Sequence, residues 1–264
     1  MEQNNLRIAM FQYSIVWENK QANLDKVTSW LEKEKSQADL LVLPEMFTTG
    51  FSMKAEELSE TDDGETMKEV KHWAKSFDMA ITGTFIAREG HRFYNRAFFI
   101  TPGGEVFFYD KRHLFSIGSE HTVFSAGEEK VIVPYKGWNI CMQVCYDLRF
   151  PVWARNVDNE YDLLLYTANW PASRISSWNT LLPARAIENQ AYICGVNRVG
   201  EDGLQVKHNG YSSLYDMKGK LLAGFEPEEE GMKVATLSLN LLKEFREKFP
   251  VWKDADPFKI HSKK

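Results

Sequence analysis

Short uninterrupted apolar runs alternate along this chain with amphipathic stretches, and run length separates strands from helices. Residues 6–11 (LRIAMF), 39–43 (DLLVL), 162–167 (DLLLYT) and 191–196 (AYICGV) have the length and composition of buried strands. Helical spacing governs residues 23–35, where Leu24, Val27 and Leu31 recur with charge between them. It also governs residues 65–77 through Met67, Val70, Trp73 and Ala74, and residues 178–190. Pro151 opens a short helix over 151–156, and Pro250 ends one over 241–249.

Between these elements the pattern predicts hairpins. Strands over 79–87, 92–100 and 106–109 are expected, the last two joined antiparallel by Thr101-Pro102-Gly103-Gly104. A second hairpin, 131–135 with 138–144, turns at Lys136-Gly137, and short strands follow over 209–215, 221–225 and 232–239. Residues 46–64 and 114–130 read as loops able to cover a site. Helices between buried strands, with added hairpins, predict an α/β protein in which a mixed sheet or two sheets are covered by helices. No repeat, low-complexity tract or shift in composition marks a linker, so residues 1–264 are expected to form one domain.

Composition narrows the function classes. No stretch reaches the roughly 18 apolar residues of a membrane span, and Met1-Glu2-Gln3-Asn4-Asn5 lacks the basic start of a signal peptide. A soluble, cytoplasmic protein is expected, with no membrane partner. The 32 basic and 37 acidic residues are dispersed, leaving −5 and no basic patch for nucleic acid, which points to a small-molecule partner. Three cysteines, Cys141, Cys145 and Cys194, are too few and too odd for a disulfide framework, and a reducing compartment permits a free reactive thiol. No C-x₂-C or H-x₃-H spacing offers a metal site and no glycine-rich phosphate loop occurs, so neither metal nor cofactor is expected.

The chemistry gathers at strand ends, where α/β sheets open into their ligand crevice. Glu45 follows the 39–43 run and Pro44, Lys111 follows the 106–109 strand, and Cys145 follows the 138–144 strand. A thiol of pKa about 8.5 needs a base or a neighbouring cation to attack at neutral pH. Glu45 offers the base, and Lys111 offers a cation for the thiolate or an oxyanion. Taken singly, the same residues also suit a buried structural cysteine and an ion pair at a sheet edge. His113 or His121 beside Cys145 would make a Cys–His dyad, but no orienting partner is evident. Cys141, four residues before Cys145, is placed on the same strand face, and with Cys194 reads as structural. Trp170, at another strand end, is placed to wall a pocket. Arg149 suits a substrate carboxylate, an acidic neighbour or the partner subunit.

Three stretches, Leu41-Val42-Leu43-Pro44-Glu45-Met46-Phe47, Asp110-Lys111-Arg112-His113-Leu114-Phe115 and Cys145-Tyr146-Asp147-Leu148-Arg149-Phe150-Pro151, resemble in order the blocks of the nitrilase superfamily of carbon-nitrogen hydrolases. The resemblance implies a four-layer α-β-β-α sandwich, a homodimer, Glu45 as general base, Lys111 as oxyanion stabiliser and Cys145 as nucleophile. It implies the Tyr146 N–H in the oxyanion hole and Glu120, in Ser119-Glu120-His121, as a second carboxylate that positions the lysine. Cys145-Tyr146-Asp147 is similar to amidase branches rather than to nitrile hydrolases. With Arg149, Asn169-Trp170-Pro171 and Ala184-Arg185-Ala186-Ile187-Glu188-Asn189-Gln190, the chain most resembles omega-amidases, which hydrolyse the terminal amide of 2-oxoglutaramate and 2-oxosuccinamate. An N-carbamoyl or aliphatic amidase is the neighbouring alternative, and a non-catalytic dimeric scaffold the distant one.

Overall fold

The computed structural model describes residues 4–34 and 38–261. Lys35, the expected end of the first helix, and Met1, Glu2 and Gln3 of the expected leaderless start lie outside the described residues. In chain order the elements are β1 (Asn5–Gln12), α1 (Lys20–Glu34), β2 (Leu40–Val42), α2 (Ala55–Leu58), α3 (Glu65–Ser76), β3 (Ala80–Glu89), β4 (Arg92–Ile100) and β5 (Val106–Asp110). They continue with β6 (Ile132–Tyr135), β7 (Trp138–Val144), α4 (Pro151–Ala154), β8 (Leu163–Ala168), α5 (Ile175–Asn189), β9 (Tyr192–Asn197), β10 (Val199–Glu201) and β11 (Lys207–Asn209). Last come β12 (Ser213–Tyr215), β13 (Leu221–Gly224), β14 (Gly231–Ser238) and α6 (Leu239–Lys248).

Two six-stranded sheets result, ordered β14-β1-β2-β3-β4-β5 and β13-β12-β9-β8-β7-β6. Each has a parallel centre, β1-β2-β3 in one and β7-β8-β9 in the other, flanked by antiparallel strands. The strand period of two assigns the layers. In β1, Leu6, Ile8 and Met10 face the second sheet and meet Val133, Ile140, Met142 and Leu165 in a dry core. The alternate Ala9 and Phe11 face outward onto Leu24, Val27 and Leu31 of α1 and Val70 and Trp73 of α3. On the second sheet, Cys141, Leu164, Tyr166 and Ile193 face outward onto Trp178, Leu182 and Ala186 of α5. The layering is therefore the expected α-β-β-α sandwich.

Both hairpins form as expected. The turn between β6 and β7 places Lys136 (φ 47°) and Gly137 (φ 79°) in the left-handed region that a tight two-residue hairpin requires. One expected strand, over 209–215, is in fact two. Asn209 ends β11, which pairs with β10 in a separate ribbon, and Ser213 begins β12 in the second sheet. The break falls at Gly210 (φ 78°) and Tyr211 (φ 60°), where no strand can continue. A Cβ on Gly210 would lie 2.3 Å from the Gln12 side chain. Among the described residues no helix is long and apolar enough to cross a membrane.

Candidate active site

Three strand ends converge between the sheets, each held by local bonds its own sequence supplies. After β2 the chain bends at Glu45, because Met46 takes φ 44° and gives its N–H to Thr84 Oγ1 at 2.7 Å. Lys111, directly after β5, donates its N–H to the Asn95 carbonyl and accepts from the Gly127 N–H, each at 3.0 Å. A Cβ on Gly127 would lie 2.1 Å from the Asp110 carbonyl, so only glycine allows this approach. β7 stops at Val144, and Cys145 takes φ 43° to open a 3-10 turn over Cys145–Arg149. Cys145 thus leaves the strand that carries Cys141, and the expected shared face ends one residue before it.

A non-glycine residue in the left-handed region is strained and persists only where its surroundings over-determine it. Here the fully buried Asp147 does so. Its Oδ2 accepts the Val144 N–H at 3.0 Å and the Tyr109 hydroxyl at 2.7 Å, while Oδ1 accepts the His113 N–H at 3.0 Å and meets His113 Nδ1 at 2.8 Å. Arg185 of α5 adds a bond to the Leu148 carbonyl at 2.7 Å. The Tyr146 N–H lies in the first turn of this short helix, where no intrahelical acceptor exists for it.

Opposite the thiol lies a buried charge cluster. Lys111 Nζ sits 2.9 Å from Glu45 Oε1 and 3.0 and 2.9 Å from Glu120 Oε1 and Oε2, all three side chains fully buried. Asn95 Nδ2 donates to both carboxylates, at 2.7 Å to Glu45 and 3.0 Å to Glu120, and its own Oδ1 accepts from Thr84 Oγ1. The Phe115 N–H reaches Glu120 Oε2 at 2.6 Å, and the Asn169 N–H reaches Glu45 Oε2 at 2.8 Å. Burial opposes the lysine's charge, but Glu120 and Glu45 outweigh it and hold the ammonium protonated beyond the usual lysine range. Burial and Glu45 push Glu120 upward against the pull of Lys111. Burial, then the charge of Glu45, which takes a hydrogen bond from the thiol, hold Cys145 well above an ordinary cysteine, with Lys111 pulling the other way. The Cys145 thiol is accordingly held in its neutral form, with the Glu45 carboxylate beside it.

Glu45, Lys111, Cys145, Tyr146, Arg149 and Trp170 line one cavity of about 160 Å³, so six of the seven expected site residues meet there. Glu120 stands behind Lys111. The Arg149 guanidinium lies over the Trp170 indole, 5.0 Å from its centroid, and has no ion pair or hydrogen bond among the described residues. The expected alternative of an acidic neighbour for Arg149 is not realised among the described residues. The β10-β11 ribbon closes one side through Asp202, Leu204, Val206 and His208, and Phe51 and Met53 come from the 46–64 loop. Neither histidine of the alternative dyad lines this cavity. His113 stacks on Phe150 at 3.8 Å, on the far side of Asp147, and His121 is exposed. Among the described residues no three His, Cys, Asp or Glu side chains form a metal-ligand set.

Sequence reading overlooked three contributors. Asn95 carries a signal in retrospect, a polar residue inside the apolar strand Arg92–Ile100, and Asp147 stands in a quoted block without a role. Arg174, also lining the cavity, follows Asn169-Trp170-Pro171 in a segment with no distinguishing pattern.

Comparison with known proteins agrees with this geometry. The chain is 45% identical over 257 residues to omega-amidase YafV of Yersinia enterocolitica, covering 97% of this chain and 98% of the relative. It is 34% identical over 251 residues to 2-oxoglutaramate amidase of Bacillus subtilis, covering 94% and 96%. Among solved structures, XC1258 of Xanthomonas campestris, a CN-hydrolase superfamily protein with an arsenic adduct in its active site, superposes with a TM-score of 0.95. It is 42% identical and covered over 99% of its length by 97% of this chain. The family described as carbon-nitrogen hydrolase matches residues 7–247. A cysteine facing a buried Glu–Lys–Glu cluster at strand ends of two mixed sheets thus occurs in a chain that belongs to the carbon-nitrogen hydrolase family.

Proposed function

We propose that this enzyme is an omega-amidase that hydrolyses the terminal amide of dicarboxylate monoamides, 2-oxoglutaramate and 2-oxosuccinamate foremost, through a thioester on Cys145. The observation that carries the reading is the pairing of a thiol beside Glu45 with a guanidinium, Arg149, that has no ion pair among the described residues, in the same small cavity. Glu45 takes the Sγ proton as sulfur attacks the amide carbon. The oxyanion is met by the Lys111 ammonium and the Tyr146 N–H, where one such donor is worth about 10²–10³ in rate. Glu45 returns the proton to the amide nitrogen, the carbon–nitrogen bond breaks and ammonia leaves. Water, deprotonated by Glu45, then attacks the thioester, and the acid departs as the thiol is restored. Glu120 acts by fixing Lys111 between two carboxylates.

Arg149 forks onto the far carboxylate of the substrate, and Trp170 sets the guanidinium plane beneath it. The names of the relatives, omega-amidase and 2-oxoglutaramate amidase, support this choice over an N-carbamoyl or neutral aliphatic amide. The reading includes a cofactor-free homodimer in the cytoplasm, with the exposed apolar Val152 of α4 and Ile187 of α5 as subunit contacts. The test is ammonia release from 2-oxoglutaramate, succinamate, a neutral aliphatic amide, an N-carbamoyl amino acid and a nitrile. Turnover concentrated on the first two, with Arg149→Gln losing kcat/KM selectively on them, is expected. Faster turnover of a substrate without a carboxylate overturns the specificity.

A further inference from the structure

The cavity holds a second guanidinium for which the chemistry so far has no use. Arg174 lies just before α5, lines the same cavity as the Cys145–Arg149 turn, and is half-buried. Like Arg149 it has no ion pair and no side-chain hydrogen bond among the described residues. Also like Arg149 it is shelved on an aromatic face, 5.1 Å above the centroid of Phe115. Stacking orients the planar fork without using its N–H donors. The two shelves are joined, since Trp170, which carries Arg149, donates its indole N–H to the Arg174 carbonyl at 2.9 Å. Phe115, which carries Arg174, gives its backbone N–H to Glu120.

Two unpaired guanidiniums facing one small cavity repel each other unless an anion lies between them. Of the two carboxylates lining the cavity, Glu45 is taken by Lys111, and Asp202 ion-pairs with neither arginine among the described residues, its Oδ1 accepting the N–H groups of Leu204 and Val206 at 2.8 and 2.9 Å. Resting on the omega-amidase reading above, we infer that Arg174 is a second anion-binding residue, and that with Arg149 it selects the 2-oxo acid end of the substrate. A carboxylate and the adjoining 2-oxo oxygen offer only acceptors, which match two donor-only forks. A 2-amino acid amide such as glutamine carries at that carbon an ammonium, itself cationic and donor-only, which both guanidiniums oppose. Arg174 is thus the specificity residue that separates 2-oxo amides from their amino acid counterparts.

The experiment measures kcat/KM for 2-oxoglutaramate, glutaramate, glutamine and butyramide in the wild-type protein, Arg174→Gln and Arg174→Lys. In Arg174→Gln the preference for 2-oxoglutaramate over butyramide should fall by about 30- to 100-fold, the value of a charge-assisted hydrogen bond. Discrimination against glutamine should shrink alongside it, and Arg174→Lys, which keeps charge but not the fork, should recover only part of each. Iodoacetamide alkylation of Cys145 at the wild-type rate establishes that a variant's site is intact. An unchanged 2-oxoglutaramate to butyramide ratio in Arg174→Gln overturns the inference, as does an equal loss on all four substrates in both variants. Should the wild-type protein itself favour butyramide over both anionic amides, the omega-amidase reading fails instead, whatever Arg174 does.

Discussion

Replacing Glu120 by glutamine preserves shape and removes one charge, yet the geometry makes it a severe change. Every group touching this carboxylate is a donor: Oε1 accepts from Asn95 Nδ2 and Lys111 Nζ, and Oε2 from Lys111 Nζ and the Phe115 N–H. A glutamine must turn its NH₂ toward one of these pairs, so two of the contacts become donor against donor whichever way the amide lies. At about 1.5–3 kcal/mol for each hydrogen bond to a charged group, Glu120→Gln should destabilise the fold by about 3–6 kcal/mol. At about 2–4 °C per kcal/mol for a chain of this size, that lowers Tm by roughly 6–24 °C. Lys111, pushed off one side, no longer points at the developing oxyanion, and kcat should fall by about 10²–10³ with a smaller change in KM. Thermal denaturation followed by ammonia-release kinetics on the folded fraction reads both numbers. A variant with the wild-type Tm and kcat would refute the argument that an acceptor-only side chain holds Lys111 in place.

Two other perturbations separate positioning from proton transfer. Glu45→Gln removes the charge that raises the Cys145 thiol, so its pKa should drop while turnover also drops, by about 10²-fold or more for a lost general base. Difference titration of thiolate absorbance against Cys145→Ala reports the first effect, and a thiol that becomes less acidic contradicts the electrostatics. Asp147→Asn places an amide against the Val144 and His113 N–H groups and the Tyr109 hydroxyl. It should relax the left-handed turn at Cys145, slowing alkylation of that thiol by iodoacetamide and lowering kcat together; an unchanged alkylation rate would show that the turn is held elsewhere.

Much of this arrangement was legible in the sequence because the signals are local. Buried strands show as unbroken apolar runs, the Lys136-Gly137 turn as a residue pair tolerant of positive φ, and Glu45, Lys111 and Cys145 as reactive residues stranded just past such runs. Less legible was whatever depends on which segments meet. The 209–215 run opens on the turn pair Asn209-Gly210, and the left-handed Gly210 and Tyr211, with Gln12 packed close against Gly210, divide it between the ribbon and the second sheet. That division swings the ribbon over the cavity. Asn95 gained its role from Glu45 and Glu120, 50 and 25 residues away, and nothing in its own neighbours announces it. The two-residue period placed Cys145 on the strand face of Cys141, but period arguments end where the strand does, and Asp147 ends it at Val144.

The central claim is that ammonia leaves while the acyl group stays on Cys145. Rapid-quench single turnover with 2-oxoglutaramate, followed by mass analysis of the chain, addresses it directly. The account predicts an acyl adduct on the Cys145 peptide that appears in step with ammonia and decays as the acid forms, with both signals absent in Cys145→Ala. Ammonia release that persists at the wild-type rate in Cys145→Ala, or an adduct carried by another residue, would contradict it.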